Sequence, residues 1–183
     1  KNLINNLRPE VAALKINGIS FDSRSTKKGD VFLSIMGNKL NGNNFIEQAI
    51  TKGAKAIIYS GSIKKNKKAI FIKVKDTRKI LPRLSTKYYK NKPKNIIAVT
   101  GTNGKKSVSD FFYQIFKLQN KRSGFIVTLG FRKNNLLKKM ELTTLDSLTL
   151  NKDLEEMKKS GINNVIIEAS SHGLKQKRLD FLE

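Results

Sequence analysis

The residues best able to do chemistry stand together at Thr100-Gly101-Thr102-Asn103-Gly104-Lys105-Lys106-Ser107. A Gly-x-x-Gly-Lys spacing between an apolar strand and a helical pattern is an arrangement for holding phosphate. Gly101 and Gly104 can take backbone angles closed to other residues, which lets main-chain N–H groups face an anion. Lys105 supplies a point charge for β- and γ-phosphates, and the positive end of the following helix adds to it. The plainer alternative is a tight strand-to-helix turn with no ligand. One residue is at odds with the pattern. A Ser or Thr hydroxyl normally follows the lysine and ligates Mg²⁺, whereas position 106 is lysine, which has no lone pair to give and repels the cation. Ser107 is adjacent, but one residue along a helix turns a side chain by about 100°, so it does not simply substitute. The expectation is nucleotide binding with weakened Mg²⁺-dependent turnover.

The elements that must position this loop are legible as periods. Asn95–Thr100 is an apolar run suited to a buried parallel strand. Val108, Phe111, Phe112, Ile115 and Leu118 recur at helical spacing directly after the loop. A strand at Ser123–Leu129, a helix with Leu150, Leu154 and Met157 inward and Gly161 as its stop, and a strand at Asn164–Ala169 follow. This β-α-β-α-β order predicts a parallel sheet covered by helices. In the first half, strands are expected at Ile19–Asp22, Val31–Ile35, Ala56–Tyr59 and Ala69–Val74. A helix over Phe45–Lys52 is closed by Gly53, and another starts from an Asp76 cap and runs to Tyr88, kinked or delayed by Pro82. The polar stretch Asn91-Lys92-Pro93-Lys94 places a domain boundary there, giving domains 1–93 and 94–183. The fold class is α/β throughout.

Composition narrows the function classes. The 183 residues hold no cysteine, which removes disulfide frameworks, thiolate metal sites and a cysteine nucleophile. No apolar run reaches the roughly 20 residues needed to span a bilayer, so a cytoplasmic protein without a membrane partner is expected. Lys and Arg total 37 against 14 Asp and Glu, a net charge of +23. Such a number suggests nucleic acid first. The lysines, however, are scattered through every segment without a long basic run, which favours a compositional habit over a nucleic-acid partner. His172 is the single histidine. Without a Gly-x-Ser-x-Gly elbow around Ser170 or Ser171 it does not make a serine hydrolase, and one histidine alone does not make a metal site.

Several segments, in order, carry a family resemblance. Thr100–Ser107 resembles the Thr-Gly-Thr-Asn-Gly-Lys-Thr-Ser of the Mur ligases, and Glu168-Ala169-Ser170-Ser171-His172-Gly173-Leu174 resembles a substrate signature of the members that add the third stem residue. Asp22-Ser23-Arg24, Lys28-Gly29-Asp30-Val31-Phe32, Asn41-Gly42-Asn43-Asn44-Phe45 and Thr143-Thr144-Leu145-Asp146 agree as well. Leu142 and Leu145 depart from it, standing where the family has Asn and Pro around the two threonines. The resemblance implies a small N-terminal α/β domain that binds the UDP part of the substrate, followed by a partial parallel-sheet ATPase domain. It implies ATP and Mg²⁺ as cofactors. The substrates it implies are UDP-N-acetylmuramoyl-dipeptide and an amino acid, diaminopimelate or lysine. The reaction would activate a carboxylate as an acyl phosphate and form an amide. Matched residue by residue, Gly101, Thr102, Asn103, Gly104, Lys105, Lys106 and Ser107 fall on the nucleotide site. Ser23, Asn38, Lys39 and Leu40 fall on the UDP site, and Thr143, Thr144, Ser170, Gln176 and Arg178 on contacts to the muramoyl-peptide part. Lys105 and Glu168 take the catalytic positions, with Glu168 as the Mg²⁺ ligand. The family's carbamylated lysine and its amino-acid-recruiting domain have no counterpart before Glu183, so the 183 residues are expected not to complete the ligation, and to be monomeric. The alternatives are the dipeptide-adding Mur ligase and a non-catalytic nucleotide- or polyanion-binding module.

Overall fold

The computed structural model describes residues 14–37, 40–127, 130–133, 136–139, 146–180 and 182, with backbone alone at 127, 130–133 and 136–139. It divides into two compact units, Lys1–Leu84 and Ser85–Glu183.

The first unit is built on a four-stranded, wholly parallel sheet of β1 (Gly18–Ser20), β2 (Asp30–Leu33), β3 (Ala56–Tyr59) and β4 (Ile70–Lys73), in that order. β2 and β3 are buried along their whole length, as β-branched and apolar runs covered on both faces must be. The β2–β3 connection carries a short 3₁₀ turn (Gly42–Phe45) and then α1 (Ile46–Thr51). Ile46, Ala49 and Ile50 of α1 pack with Ala54 on Phe32, Ile57 and Tyr59 to form the core. Gly53, at φ +93°, ends the helix as expected, its N–H donating to the Ile50 carbonyl at 2.8 Å. α2 (Thr77–Tyr88) starts at the Asp76 cap, whose Oδ1 accepts from the N–H groups of Arg78 at 2.9 Å and Lys79 at 3.3 Å. Pro82 lies inside α2 and does not delay it. The proline forgoes one hydrogen bond, to the Arg78 carbonyl in the first turn, and the helix is assigned without interruption.

The second unit contains a five-stranded sheet ordered β5-β9-β6-β7-β8. β5 (Asn95–Val99), β9 (Asn164–Glu168) and β6 (Ser123–Val127) are parallel. β7 (Gly130–Lys133) and β8 (Leu136–Lys139) continue the sheet as an antiparallel meander, which the helix-strand alternation of the sequence did not anticipate. α4 (Ser147–Lys159) covers one face: Leu150, Leu154 and Met157 join Ile126, Ile162, Val165 and Ile167 in one buried cluster. Its start is capped by the Asp146 carboxylate, which accepts from Leu148 and Thr149 N–H at 2.9 Å each. α3 (Lys105–Leu118) lies on the other face through Tyr113 and Phe116, against Phe125 and Ile166. β5 differs from expectation. It is the edge strand among the described residues, with Ala98 exposed, because its outer side has no neighbouring strand. The apolar stripe that announced α3 also points away from the sheet: Phe111 is 61% exposed and Leu118 83%. The narrower Ser109-Tyr113-Phe116 stripe makes the contact instead.

This asymmetry is measurable. Leu154→Ala should lower stability by about 2–5 kcal/mol through the cavity it leaves, whereas Phe111→Ala should change it by less than about 0.5 kcal/mol. Urea unfolding followed by circular dichroism reads both.

Candidate functional site

In the second unit the parallel register decides the geometry. Val99 pairs with Glu168, and the Ala169 N–H donates to the Val99 carbonyl at 2.8 Å, so β5 and β9 end side by side. The loop 100–104 leaves the end of one strand and Ser170 leaves the end of the other, at the carboxyl edge where parallel sheets bind ligands. The loop, Glu168 and Ser170 are thereby brought together.

Gly104 is the N-cap of α3 in the left-handed conformation, φ +75°, and Gly101 has φ +154°. A Cβ on Gly104 would meet nothing within 4 Å, so glycine is needed there for its backbone angle and not for room. No side chain caps α3, unlike α2, α4 and α5 (Ser171–Lys175), which begin at Asp76, Asp146 and Ser170. Its first N–H groups therefore have no side-chain cap and carry the partial positive charge of a helix start. The Lys105 ammonium folds back over the loop, donating to the carbonyls of Gly101 at 2.7 Å and Thr102 at 3.2 Å. Thr102, Asn103, Lys106 and Ser107 are exposed around it.

Beside the loop, Ser170 Oγ accepts from the Gly173 N–H at 3.0 Å and so caps α5. Gln176, itself a candidate, links the candidate Arg178 to His172. Its Oε1 accepts from Arg178 Nε at 2.9 Å and Nη2 at 2.6 Å, and its Nε2 lies 2.7 Å from His172 Nε2. Since an amide NH₂ only donates, that ring nitrogen accepts, which leaves the imidazole proton on Nδ1. His172 thus orients Gln176, and through it the Arg178 fork. Thr143 and Thr144 lie outside the described residues, as do Asn38 and Lys39.

The first unit holds the other candidates. Arg24 grips Asp22 with Nε and Nη2, at 2.8 to 3.1 Å from its two oxygens, and this turn carries Ser23 inward. Ser23 is 4% exposed and its hydroxyl donates to Gln48 Oε1 at 2.5 Å, so it is already engaged. The segment flanking residues 38–40 is closed at its base by an antiparallel bridge between Met36 and Asn41, and by the Gly37 N–H on the Leu40 carbonyl at 2.9 Å. Gly42 completes the closure: a Cβ there would sit 2.4 Å from the Ile35 carbonyl oxygen. Leu40 is 66% exposed at this rim. Arg78, which sequence reasoning missed, donates from Nη2 to the Met36 carbonyl at 3.0 Å. A cavity of about 670 Å³ opens beside it, lined by Met36, Ser60, Lys75, Thr77, Arg78 and Lys79 among others. Nothing local marks Arg78, because its partner is a main-chain atom 42 residues away.

The comparisons with known proteins decide the family. The Mur ligase family catalytic-domain profile matches residues 15–89, and the Mur ligase middle-domain profile matches residues 99–183. The chain belongs to the Mur ligase family. It is 41% identical over 182 residues to the UDP-N-acetylmuramoyl-L-alanyl-D-glutamate--2,6-diaminopimelate ligase of Rickettsia montanensis, covering 95% of this chain and 37% of that protein. With the ligase of the same name from Rhizobium meliloti (strain 1021) it shares 35% identity over 177 residues, 97% of this chain and 36% of that protein. A solved structure under that name superposes with a TM-score of 0.77 at 32% identity, over 90% of this chain and 34% of the other. The MurF ligase of Thermotoga maritima in complex with ADP has the same fold, with a TM-score of 0.58 at 23% identity, over 87% of this chain and 33% of the other. The chain thus spans little more than a third of the length of the relatives it matches.

Two outcomes test the first-unit geometry. Arg78→Ala should speed amide exchange at Gly37 and Gly42 about fivefold, on the order of 1 kcal/mol, and leave Ala49 and Ile50 in α1 unchanged. The Asp22 carboxyl, held below its ordinary value of 3.8 by its hydrogen bonds to Arg24, stabilises the fold above that value. That contribution is lost as pH falls through the lower folded value, so an NMR titration should place the Asp22 midpoint below 3.8 and Arg24→Ala should return it there.

Proposed function

We propose that this chain is the substrate- and nucleotide-binding part of an ATP-dependent ligase that adds the third residue, diaminopimelate, to UDP-N-acetylmuramoyl-dipeptide in peptidoglycan synthesis. The observation that carries the reading is the uncapped, glycine-bent start of α3 standing beside the ends of β9 and the Ser170–Arg178 segment. That edge offers a phosphate cradle and substrate-orienting groups side by side. The relatives' names supply the substrates.

In this reading residues 1–93 hold the UDP end, with the exposed rim at Leu40, the loop residues Asn38 and Lys39, and the cavity lined by Arg78 as its seat. Ser23 would have to release Gln48 to join it. Residues 94–183 hold ATP on Gly101–Ser107. On binding, Lys105 leaves the Gly101 and Thr102 carbonyls for the β- and γ-phosphates. The substrate carboxylate attacks the γ-phosphorus and ADP departs. The amino acid's amine then attacks the acyl carbon of the acyl phosphate, forming the amide and releasing phosphate and a proton. Arg178, fixed by Gln176, and Ser170 would orient the carboxylate-bearing peptide, with Thr143 and Thr144.

The residues at the loop do not fit the Mg²⁺ that the family implies. Position 106 offers an ammonium where a hydroxyl ligand belongs, and Glu168 is the one carboxylate ending β9. Among the described residues no helix is long and apolar enough to cross a membrane. A cytoplasmic monomer belongs to the same proposal.

Isothermal titration of the 183-residue chain tests the reading. UDP-N-acetylmuramoyl-dipeptide should bind more tightly than UDP alone, and Ser170→Ala should weaken the dipeptide increment about tenfold, on the order of 1.4 kcal/mol. Binding that ignores the peptide and falls steeply with salt would instead identify a polyanion-binding module drawing on the +23 charge.

A further inference from the structure

Lys105 and Lys106 are successive residues in the first turn of α3, yet they differ in what they do. Lys105 is half-buried, and its ammonium is held by two loop carbonyls. Lys106 is exposed, and none of the ion pairs among the described residues, Arg24–Asp22, Lys159–Glu155 and Lys177–Asp180, involves it. The first turn of α3 contains no acidic residue that could claim it. Its Cα sits at the helix start that no side chain caps, directly after the lysine that answers the phosphates.

Mg²⁺ on a nucleotide neutralises part of the polyphosphate charge and draws β- and γ-oxygens together. A lysine at position 106 supplies positive charge from the first turn of α3, at the sequence position where the metal's hydroxyl ligand would stand, and opposes a dication by repulsion. We propose that Lys106 takes over the metal's electrostatic task, so that this loop binds metal-free ATP through Lys105 and Lys106 acting together. The inference rests on the nucleotide-binding reading above and goes beyond it by naming the ligand's form. Metal-free ATP carries more negative charge than its Mg²⁺ complex. Two ammonium groups and an uncapped helix start are therefore matched to the free anion better than to the chelate.

The test is calorimetric titration of the 183-residue chain with the non-hydrolysable β,γ-imido analogue of ATP, at about 0.15 M salt to screen the general charge, once in EDTA and once in excess Mg²⁺. The wild-type chain should bind at least as tightly in EDTA as in Mg²⁺. Lys106→Thr should lose about tenfold in EDTA and bind better with Mg²⁺ than without. Lys106→Gln, neutral and helix-favouring, should show the same loss in EDTA, which guards against a folding defect in the threonine variant. Lys117→Thr removes the same charge from the last turn of the same helix and should change neither value. Wild-type binding more than about tenfold tighter in Mg²⁺, undiminished affinity of both position-106 variants in EDTA, or an equal loss in Lys117→Thr would each overturn the inference. Absence of nucleotide binding in both buffers would remove the nucleotide-binding reading itself, an outcome distinct from the other three.

Discussion

The parallel ladder between β5 and β9 is the constraint on which the second unit depends. It runs from Asn95 opposite Asn164 to Val99 opposite Glu168, and it is closed at its end by the Ala169 N–H on the Val99 carbonyl. At its other end Asn95 Nδ2 donates to Asn164 Oδ1 at 2.8 Å, so side chains also help pin the register. Side-chain direction alternates along a strand, and a slip of one residue would turn Ile166 out of the α3-side cluster and Ile167 out of the α4-side cluster. The same slip would carry Glu168 and Ser170 away from the phosphate loop. Core packing on both faces and the assembly of the site are one geometric condition.

In the first unit the corresponding work is done by closures over short distances. The Asp22–Arg24 clamp folds the β1–β2 turn on itself, while the Lys52 ammonium donates to the Arg24 carbonyl from the end of α1. Asn43 ties the base of the next loop from both sides, accepting from Ser34 Oγ at 2.5 Å and donating to the Ser60 carbonyl at 3.1 Å. These bonds immobilise loops that have few apolar contacts of their own. Loops carrying recognition residues need such fixing, because a hydrophobic core beneath them does not set the direction of their side chains.

How much of this was legible in the sequence depends on the range of the interaction involved. Elements announced by period were readable: α4 by Leu150, Leu154 and Met157, and β3 by four consecutive apolar residues. The strand-to-helix turn at 100–104 was readable because two glycines between an apolar run and a helical period have a local reason to be there. The burial of α3 was misleading, since two stripes on one helix both have a helical period and only the sheet decides which is covered. Val108, Phe111, Phe112, Ile115 and Leu118 form the wider stripe, yet Tyr113 and Phe116 form the packed one. The β7–β8 hairpin was missed although Asn134-Asn135 stands between two apolar-bearing runs, a turn signal that was available. Arg78 and the Ser23–Gln48 bond were not legible, because each joins positions far apart in the chain with no pattern at either end.

The start of α3 shows how a functional site can be recognised from choices that oppose stability. A left-handed glycine stands at the N-cap where Ser, Thr or Asp would satisfy an N–H group, a difference of about a few tenths of a kcal/mol in other helices. Lysines fill the first two positions, against the helix dipole, at a cost of about 0.3–1 kcal/mol each. The other long helices of this chain obey the ordinary rules, with Asp76 and Asp146 at their starts. Three unfavourable choices within three consecutive residues have a common physical remedy, an anion that accepts from the free N–H groups and pairs with the ammonium charges. An apolar partner or a cation would leave every one of those penalties in place, whereas the charge of a phosphate chain would offset them whatever base or sugar it carried.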